Sequence, residues 1–223
     1  MKKIDLIIFD LDGTLIDSLN DLANATNHML LSLGRPAASL GQVRGYVGQG
    51  ARRLVERAMP TAAAEELERG LALFLDYNEK HIVDRTCLYP GVKDTLTALR
   101  ESGLMLAVVS NKNIALCTKV LTTLGADGFF VSVIGADSLT ERKPSPEPLL
   151  KVLRDLGVPP ERAVMVGDSI NDIAAGQAAG MATVGCTFGY GDLAEIEDAD
   201  FLIDTLPELL KLPLLNGAQA DRP

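Results

Sequence analysis

Two aspartates one residue apart, Asp10 and Asp12, close an apolar run from Ile4 to Phe9 and are followed at once by Gly13 and Thr14. Carboxylates this close repel, and each raises the other's pKa unless a cation, a proton or both stand between them. The pair therefore points to a bound metal ion or to acid–base chemistry. Gly13 permits a sharp turn, and Thr14 adds a hydroxyl and an N–H able to meet an anion. Three later groups suit the same chemistry. Ser110 and Asn111 end the run LAVVSN and offer small donors for phosphate oxygens. Lys143 lies in RKPSPEP, just ahead of Ser145 and Pro146, which signal a helix start. Asp168 ends AVMVGD, and Asp172 follows four residues on. Taken singly, each has an ordinary explanation: an Asp-Gly turn, a helix N-cap, a solvated lysine, a capping acid.

What must position these groups is a set of strand ends. Ile4–Phe9 has the length and apolarity of a buried parallel strand. After it, apolar residues at helical spacing (Leu19, Leu22, Thr26, Met29, Leu33) and two further helical stretches, Gly50–Met59 and Thr61–Asp84, run on without a strand pattern. From Tyr89-Pro90-Gly91 onward, strands and helices alternate. Strands are expected at Leu104–Val109, Phe130–Ile134, Ala163–Val166, Ala182–Gly185 and Asp200–Ile203. Helices are expected at Val92–Ser102, Ile114–Leu124, Pro146–Leu156, Asp172–Ala179 and Pro207–Leu212. Such alternation specifies an α/β fold, a doubly wound, Rossmann-like parallel sheet, in which ligands gather outside the carboxyl ends of the strands. Residues 1–16 and 85–223 are thus read as the core domain and 17–84 as a helical cap domain inserted after the first strand, over the site at that strand's end. The tail from Pro213 to Pro223 has little to bury, and no fixed structure is expected for it.

The bulk properties narrow the partners. A chain of 223 residues, 47% hydrophobic, can bury a real core. A formal net charge of −9 disfavours a nucleic-acid partner, since such proteins usually carry a basic stripe. The three cysteines, Cys87, Cys117 and Cys186, are odd in number and unpaired by spacing, which fits a reducing, cytoplasmic setting. Asp5, Asp10 and Asp12 interrupt what would otherwise resemble a signal peptide, and Ile173–Gly191 is too broken by glycines to span a membrane. The expected partners are small anions, not polymers, and the expected assembly a monomer or homodimer.

The order DxDGT, then Ser, then Lys, then GDSxxD, spread over nearly the whole chain, resembles the four motifs of the haloacid dehalogenase-like superfamily. That resemblance implies a phosphatase acting on a small phosphorylated metabolite, in which Asp10 is the nucleophile forming an aspartyl-phosphate and Asp12 the general acid and base. It further implies that Lys143, Ser110, Asn111 and Thr14 bind the phosphoryl group, and that Mg²⁺ is held by Asp10, the Asp12 carbonyl, Asp168 and Asp172. Oxygen-only ligands agree with Mg²⁺ over zinc. Dehalogenases of the superfamily are expected to lack the acid at Asp12, and phosphonate-cleaving members use a cap lysine, whereas Asp17–Glu79 contains none. A pyrophosphatase, a nucleotide or sugar phosphatase, or a phosphomutase with the same cap type stays open, as does a non-enzymatic phospho-accepting or binding module. The segment VRGYVGQGARRLVERA is similar to the matching part of bacterial phosphoglycolate phosphatases. This implies 2-phosphoglycolate as substrate, with Arg44 and Arg52 as candidates to pair with its carboxylate.

Overall fold

The computed structural model describes residues 3–216. In chain order the elements are β1 (Leu6–Phe9), β2 (Ile16–Asp17), α1 (Leu19–Ser32), α2 (Leu40–Arg44), α3 (Gly50–Ala58), α4 (Ala64–Lys80), β3 (Cys87–Leu88), α5 (Val92–Glu101), β4 (Met105–Val109) and α6 (Ile114–Thr123). They continue with β5 (Ser132–Ile134), α7 (Glu147–Leu156), β6 (Ala163–Gly167), α8 (Ile170–Ala178), β7 (Ala182–Cys186), α9 (Leu193–Ile196), β8 (Phe201–Ile203), a 3₁₀ turn (Leu206–Lys211) and α10 (Pro213–Asn216).

Six strands form a parallel sheet in the order β5-β4-β1-β6-β7-β8. β1 is central, with Leu6 beside Met105 on one flank and Ala163 on the other. Its four residues are all buried because helices cover both faces of the sheet. Ile7 and Phe9 pack with Leu96 of α5 and Val120 of α6, while Leu6 and Ile8 pack with Val152 of α7 and Ala175 of α8. Strand order reverses at β1, so the crevice of a doubly wound sheet opens where Asp10 and Asp12 emerge.

Between β2 and β3, helices α1 to α4 close around their own apolar cluster, including Leu22, Met29, Leu54, Val55 and Phe74. The two ends of this insertion are pinned together: Ile16 pairs with Leu88 and Asp17 with Cys87 in a two-stranded antiparallel ribbon. Beside the ribbon the buried Asp21 carboxylate accepts from the Arg85 and Thr86 amides and from the Thr86 hydroxyl, at 2.7–3.1 Å.

Several boundaries differ from expectation for local reasons. The ribbon strands are two residues each, too short to leave an alternating pattern. α2 is also short, but its Ser39 and Gln42 form a capping box. α4 stops at Lys80, before Asp84, and α8 starts at Ile170 because Ser169, not Asp172, is its N-cap. The stretch expected as a helix at Pro207–Leu212 is a 3₁₀ turn. Of the tail, Pro213–Asn216 is helical, and Leu214 is buried in the core beside Leu209, so this part does find something to cover it. Residues 217–223 lie outside the described residues.

Candidate active site

The groups singled out in the sequence arrive from separate stretches of the chain, most of them strand ends. Asp10 and Asp12 follow β1, Ser110 and Asn111 follow β4, Lys143 precedes α7, Asp168 follows β6, and Asp172 stands in the first turn of α8. Asp10, Asp168 and Asp172 each present a ligand atom within 4.8 Å of the others. The buried Lys143 ammonium donates to Asp10 Oδ1 at 2.8 Å, Asp172 Oδ1 at 2.7 Å and the Val109 carbonyl at 2.5 Å. Asp172 Oδ2 accepts from the Ser169 amide and hydroxyl, which fixes the carboxylate as the far half of a capping box. Asp168 Oδ1 accepts from Thr14 Oγ1 at 3.0 Å, and its Oδ2 from the Tyr190 amide at 2.7 Å. The Thr14 hydroxyl therefore faces Asp168. Gly13 turns here at φ +90°, and a Cβ on it would collide with the Asp168 carboxylate, so glycine is needed for the close approach.

Burial dominates the electrostatics. It pushes Asp10 up to about 6, with Asp172 adding to the rise and Lys143 opposing it. Asp168 is pushed up to about 8, again by burial first and then by Asp10 and Asp172. For Lys143, burial alone would lower the pKa, but the two aspartates together outweigh it and hold the ammonium charged. Crowded, all-oxygen donors whose charge is resisted by the protein fit a hard divalent cation: ionised, the group lacks positive charge that Lys143 alone cannot supply.

One cation close to the acids was not singled out in the sequence. Lys112 Nζ donates to both oxygens of Asp12, at 2.8 and 3.0 Å, and Ser18 Oγ donates to Asp12 Oδ1 at 2.5 Å. Asp10, Asp12, Asp168 and Asp172 thus face two ammonium groups, and a divalent cation would bring the formal charge to zero. The signal for Lys112 was its place directly after Ser110-Asn111 at a strand end. Tyr190 gave no such signal, because it acts through its backbone N–H on Asp168 and through a hydroxyl that accepts from the Ser18 amide.

Two cavities meet at Asp10 and Asp12. One, of about 50 Å³, runs under the insertion past Phe74, Asn78, Ser110, Asn111 and Lys112. The other, of about 330 Å³, opens past Arg44, Arg57, Asp168, Asn171 and Tyr190. The insertion is clasped to the sheet between them. Asn111 Nδ2 donates to the Gly48 carbonyl at 3.0 Å and to the Lys143 carbonyl at 2.9 Å, leaving its Oδ1 buried without a partner among the described residues. Arg44 lines the larger cavity, but its Nε and Nη2 donate to the carbonyls of Tyr190 and Gly189. The structure does not bring Arg52 to either cavity: its guanidinium is forked on Glu68 at 2.7 and 2.9 Å on the exposed face of α3.

The profile of the haloacid dehalogenase-like hydrolases matches residues 7–186, an interval that contains every one of the clustered acids and Lys143. The chain belongs to this family. Among its relatives, phosphoglycolate phosphatase of Chromobacterium violaceum is 40% identical over 222 residues, covering 97% of this chain and 99% of that protein. The phosphoglycolate phosphatase of Pseudomonas putida is 44% identical over 214 residues, covering 92% and 78%. A crystal structure of a predicted phosphoglycolate phosphatase from Haemophilus somnus superposes with a TM-score of 0.91 at 37% identity, covering 95% of this chain and 98% of that one. CbbY from Rhodobacter sphaeroides, solved in complex with phosphate, gives a TM-score of 0.81 at 26% identity over 92% and 96% of the two chains. The hydrolase has no helix, among the described residues, long and apolar enough to cross a membrane.

Proposed function

We propose that this hydrolase cleaves a small phosphate monoester, 2-phosphoglycolate first among candidates, through an aspartyl-phosphate on Asp10. One observation carries the chemistry. Asp10 Oδ1 is held by Lys143, while Oδ2 has no hydrogen-bond partner among the described residues and Asp10 borders both cavities. A fixed carboxylate with one unengaged oxygen facing open space is a nucleophile in position.

In this reading Asp12 enters the first step protonated, as substrate binds: Asp10 Oδ2 attacks phosphorus as the bond to the ester oxygen breaks, and the leaving alkoxide takes the Asp12 proton. Water then attacks the phosphorus, Asp12 takes its proton, and the Asp10–phosphorus bond breaks to return the free carboxylate and inorganic phosphate. Lys143 offsets charge on Asp10 and on the entering phosphoryl oxygens, and Ser110 offers a hydroxyl at the end of β4. Asp10, Asp168, Asp172 and the Asp12 carbonyl would hold Mg²⁺, which when bound neutralises phosphoryl charge and fixes the in-line approach. The helices at 17–84 act as the cap over the site. Unpaired Cys87, Cys117 and Cys186 support a cytoplasmic protein.

The substrate reading rests on the phosphoglycolate phosphatases among its relatives. The test is Mg²⁺-dependent phosphate release from 2-phosphoglycolate beside pyrophosphate, a nucleoside monophosphate and a hexose phosphate. A preference of ~100-fold in kcat/KM, about 2.7 kcal/mol of transition-state binding, is expected. Asp10→Asn should abolish turnover while leaving the circular dichroism unchanged, and an active Asp10→Asn enzyme would remove the nucleophile assignment.

A further inference from the structure

Three arginines of the insertion are engaged elsewhere, the two candidates from the sequence among them. Arg44 is on core carbonyls, Arg52 on Glu68, and Arg57 on the Gly45 and Tyr46 carbonyls and Gln49. A different residue is unengaged. Asn78, on α4, is 3% exposed, and its side chain has no hydrogen-bond partner among the described residues. Neither of its polar atoms is sealed off, because the side chain borders a cavity, so both its donor and its acceptor are open to a ligand there. Asn78 lines the smaller cavity, whose walls include Leu22, Leu54, Phe74 and Leu116 and whose far end is Asp10 and Asp12. Lys112 is the one cation among the described residues lining it.

We propose that Asn78, with Lys112 across the cavity, reads the carboxylate of a two-carbon phospho-acid whose phosphoryl group lies at Asp10. This rests on the phosphatase reading above and names the residues that choose the substrate. At about 10–15 Å³ per water, a cavity of about 50 Å³ admits a few heavy atoms, which suits a carboxymethyl group and excludes a sugar ring. Beyond the motif residues its side-chain donors are Asn78, Lys112 and Asn113 among apolar walls, so a neutral end gains less from entering. The Asn78 amide donates to a carboxylate without adding charge beside Asp12. Lys112 supplies the opposing charge.

The experiment compares 2-phosphoglycolate with 2-hydroxyethyl phosphate, a matched ester that carries a hydroxymethyl group in place of the carboxylate. Both are assayed by phosphate release with Mg²⁺ on wild type, Asn78→Asp and Asn78→Leu. Wild type is expected to favour the acid. Asn78→Asp, which sets a like charge against it, is expected to lower kcat/KM for 2-phosphoglycolate by ~100-fold or more, mostly through KM, and Asn78→Leu by ~10-fold. Rates on 2-hydroxyethyl phosphate should stay within about threefold in both variants. Equal losses on both esters would show that Asn78 serves only the fold, and an unchanged preference in Asn78→Asp would place the carboxylate elsewhere; either overturns the proposal. Wild type that hydrolyses the hydroxyethyl ester but not the acid overturns it while leaving the phosphatase chemistry standing. Wild type that releases phosphate from neither ester refutes the proposed function and this proposal with it.

Discussion

Lys143→Met isolates the ion network at the centre of the site. The ammonium it removes lies 2.8 Å from Asp10 and 2.7 Å from Asp172, with the lysine side chain 2% exposed. Methionine fills much of the same space, so the change leaves two buried carboxylates facing each other without a cation. Breaking a buried pair in this way costs about 3–5 kcal/mol. Lys143 is charged in the folded chain and in the unfolded chain anywhere below pH ~10, so its own titration adds no pH dependence in the working range. Asp10 does add one. Its pKa is about 6 with Lys143 present, and removing the opposing charge can only raise it further. At pH 8 the variant must keep unpaired charge buried or hold a proton that the unfolded chain has released. At pH 5 the proton comes at little cost. Urea unfolding in a chelator, followed by circular dichroism, should therefore show Lys143→Met less stable than wild type by about 3–5 kcal/mol at pH 8. At pH 5 the deficit should be smaller by more than about 1 kcal/mol, the value of roughly one pKa unit. A deficit equal at the two pH values, or below about 1 kcal/mol at both, would mean that Lys143 does not balance these acids.

Asp21→Asn keeps the side-chain volume but turns an amide group toward the Arg85 and Thr86 donors, so a loss of about 2–4 kcal/mol in urea unfolding with an unchanged m-value is expected. In metal-free wild type, Asp10 and Asp168 give up protons near 3.8 when unfolded but only at about 6 and about 8 when folded. The folded state therefore binds more protons, and these two groups make stability fall as pH rises from about 4 to about 8. A Tm scan in chelator should show Asp168→Asn removing the part of this fall that lies above pH 6, and Mg²⁺ should flatten it in wild type. A metal-free Asp168→Asn curve parallel to wild type would count against the burial argument.

What the sequence made legible was the set of groups delivered by strands. Asp10, Asp12, Ser110, Asn111 and Asp168 all sit where an apolar run ends, and the run of a buried parallel strand is its own marker, whereas Lys143 was marked by the helix start that follows it. What it concealed depends on tertiary approach. Nothing local distinguishes Asn78 from the other polar residues of α4, and only the packing of that helix against α1 and α3 brings its amide to the cavity that reaches Asp10 and Asp12. The same approach decides between Arg44 and Arg52. Both follow the pattern of a basic helical face, yet one reaches the Gly189 and Tyr190 carbonyls and the other meets Glu68 within the insertion. Asn111 is legible as a donor but not as a clasp, since its protons go to carbonyls 63 and 32 residues away in sequence.

The two-residue ribbon that brackets the insertion also bears on how the chain finds its fold. β1 must pair with β4, and the segment between Phe9 and Met105 includes all of α1 to α4. If those helices condense first around Leu22, Met29, Leu54 and Phe74, the Ile16–Leu88 and Asp17–Cys87 pairings draw the two ends of that segment together. What remains to be closed is the short chain from Phe9 to Ile16 and from Leu88 to Met105, roughly a quarter of the original length, which lowers the closure entropy by about 1 kcal/mol. With the insertion formed, four residues of antiparallel pairing make a long-range contact at the centre of the sheet nearly a local one.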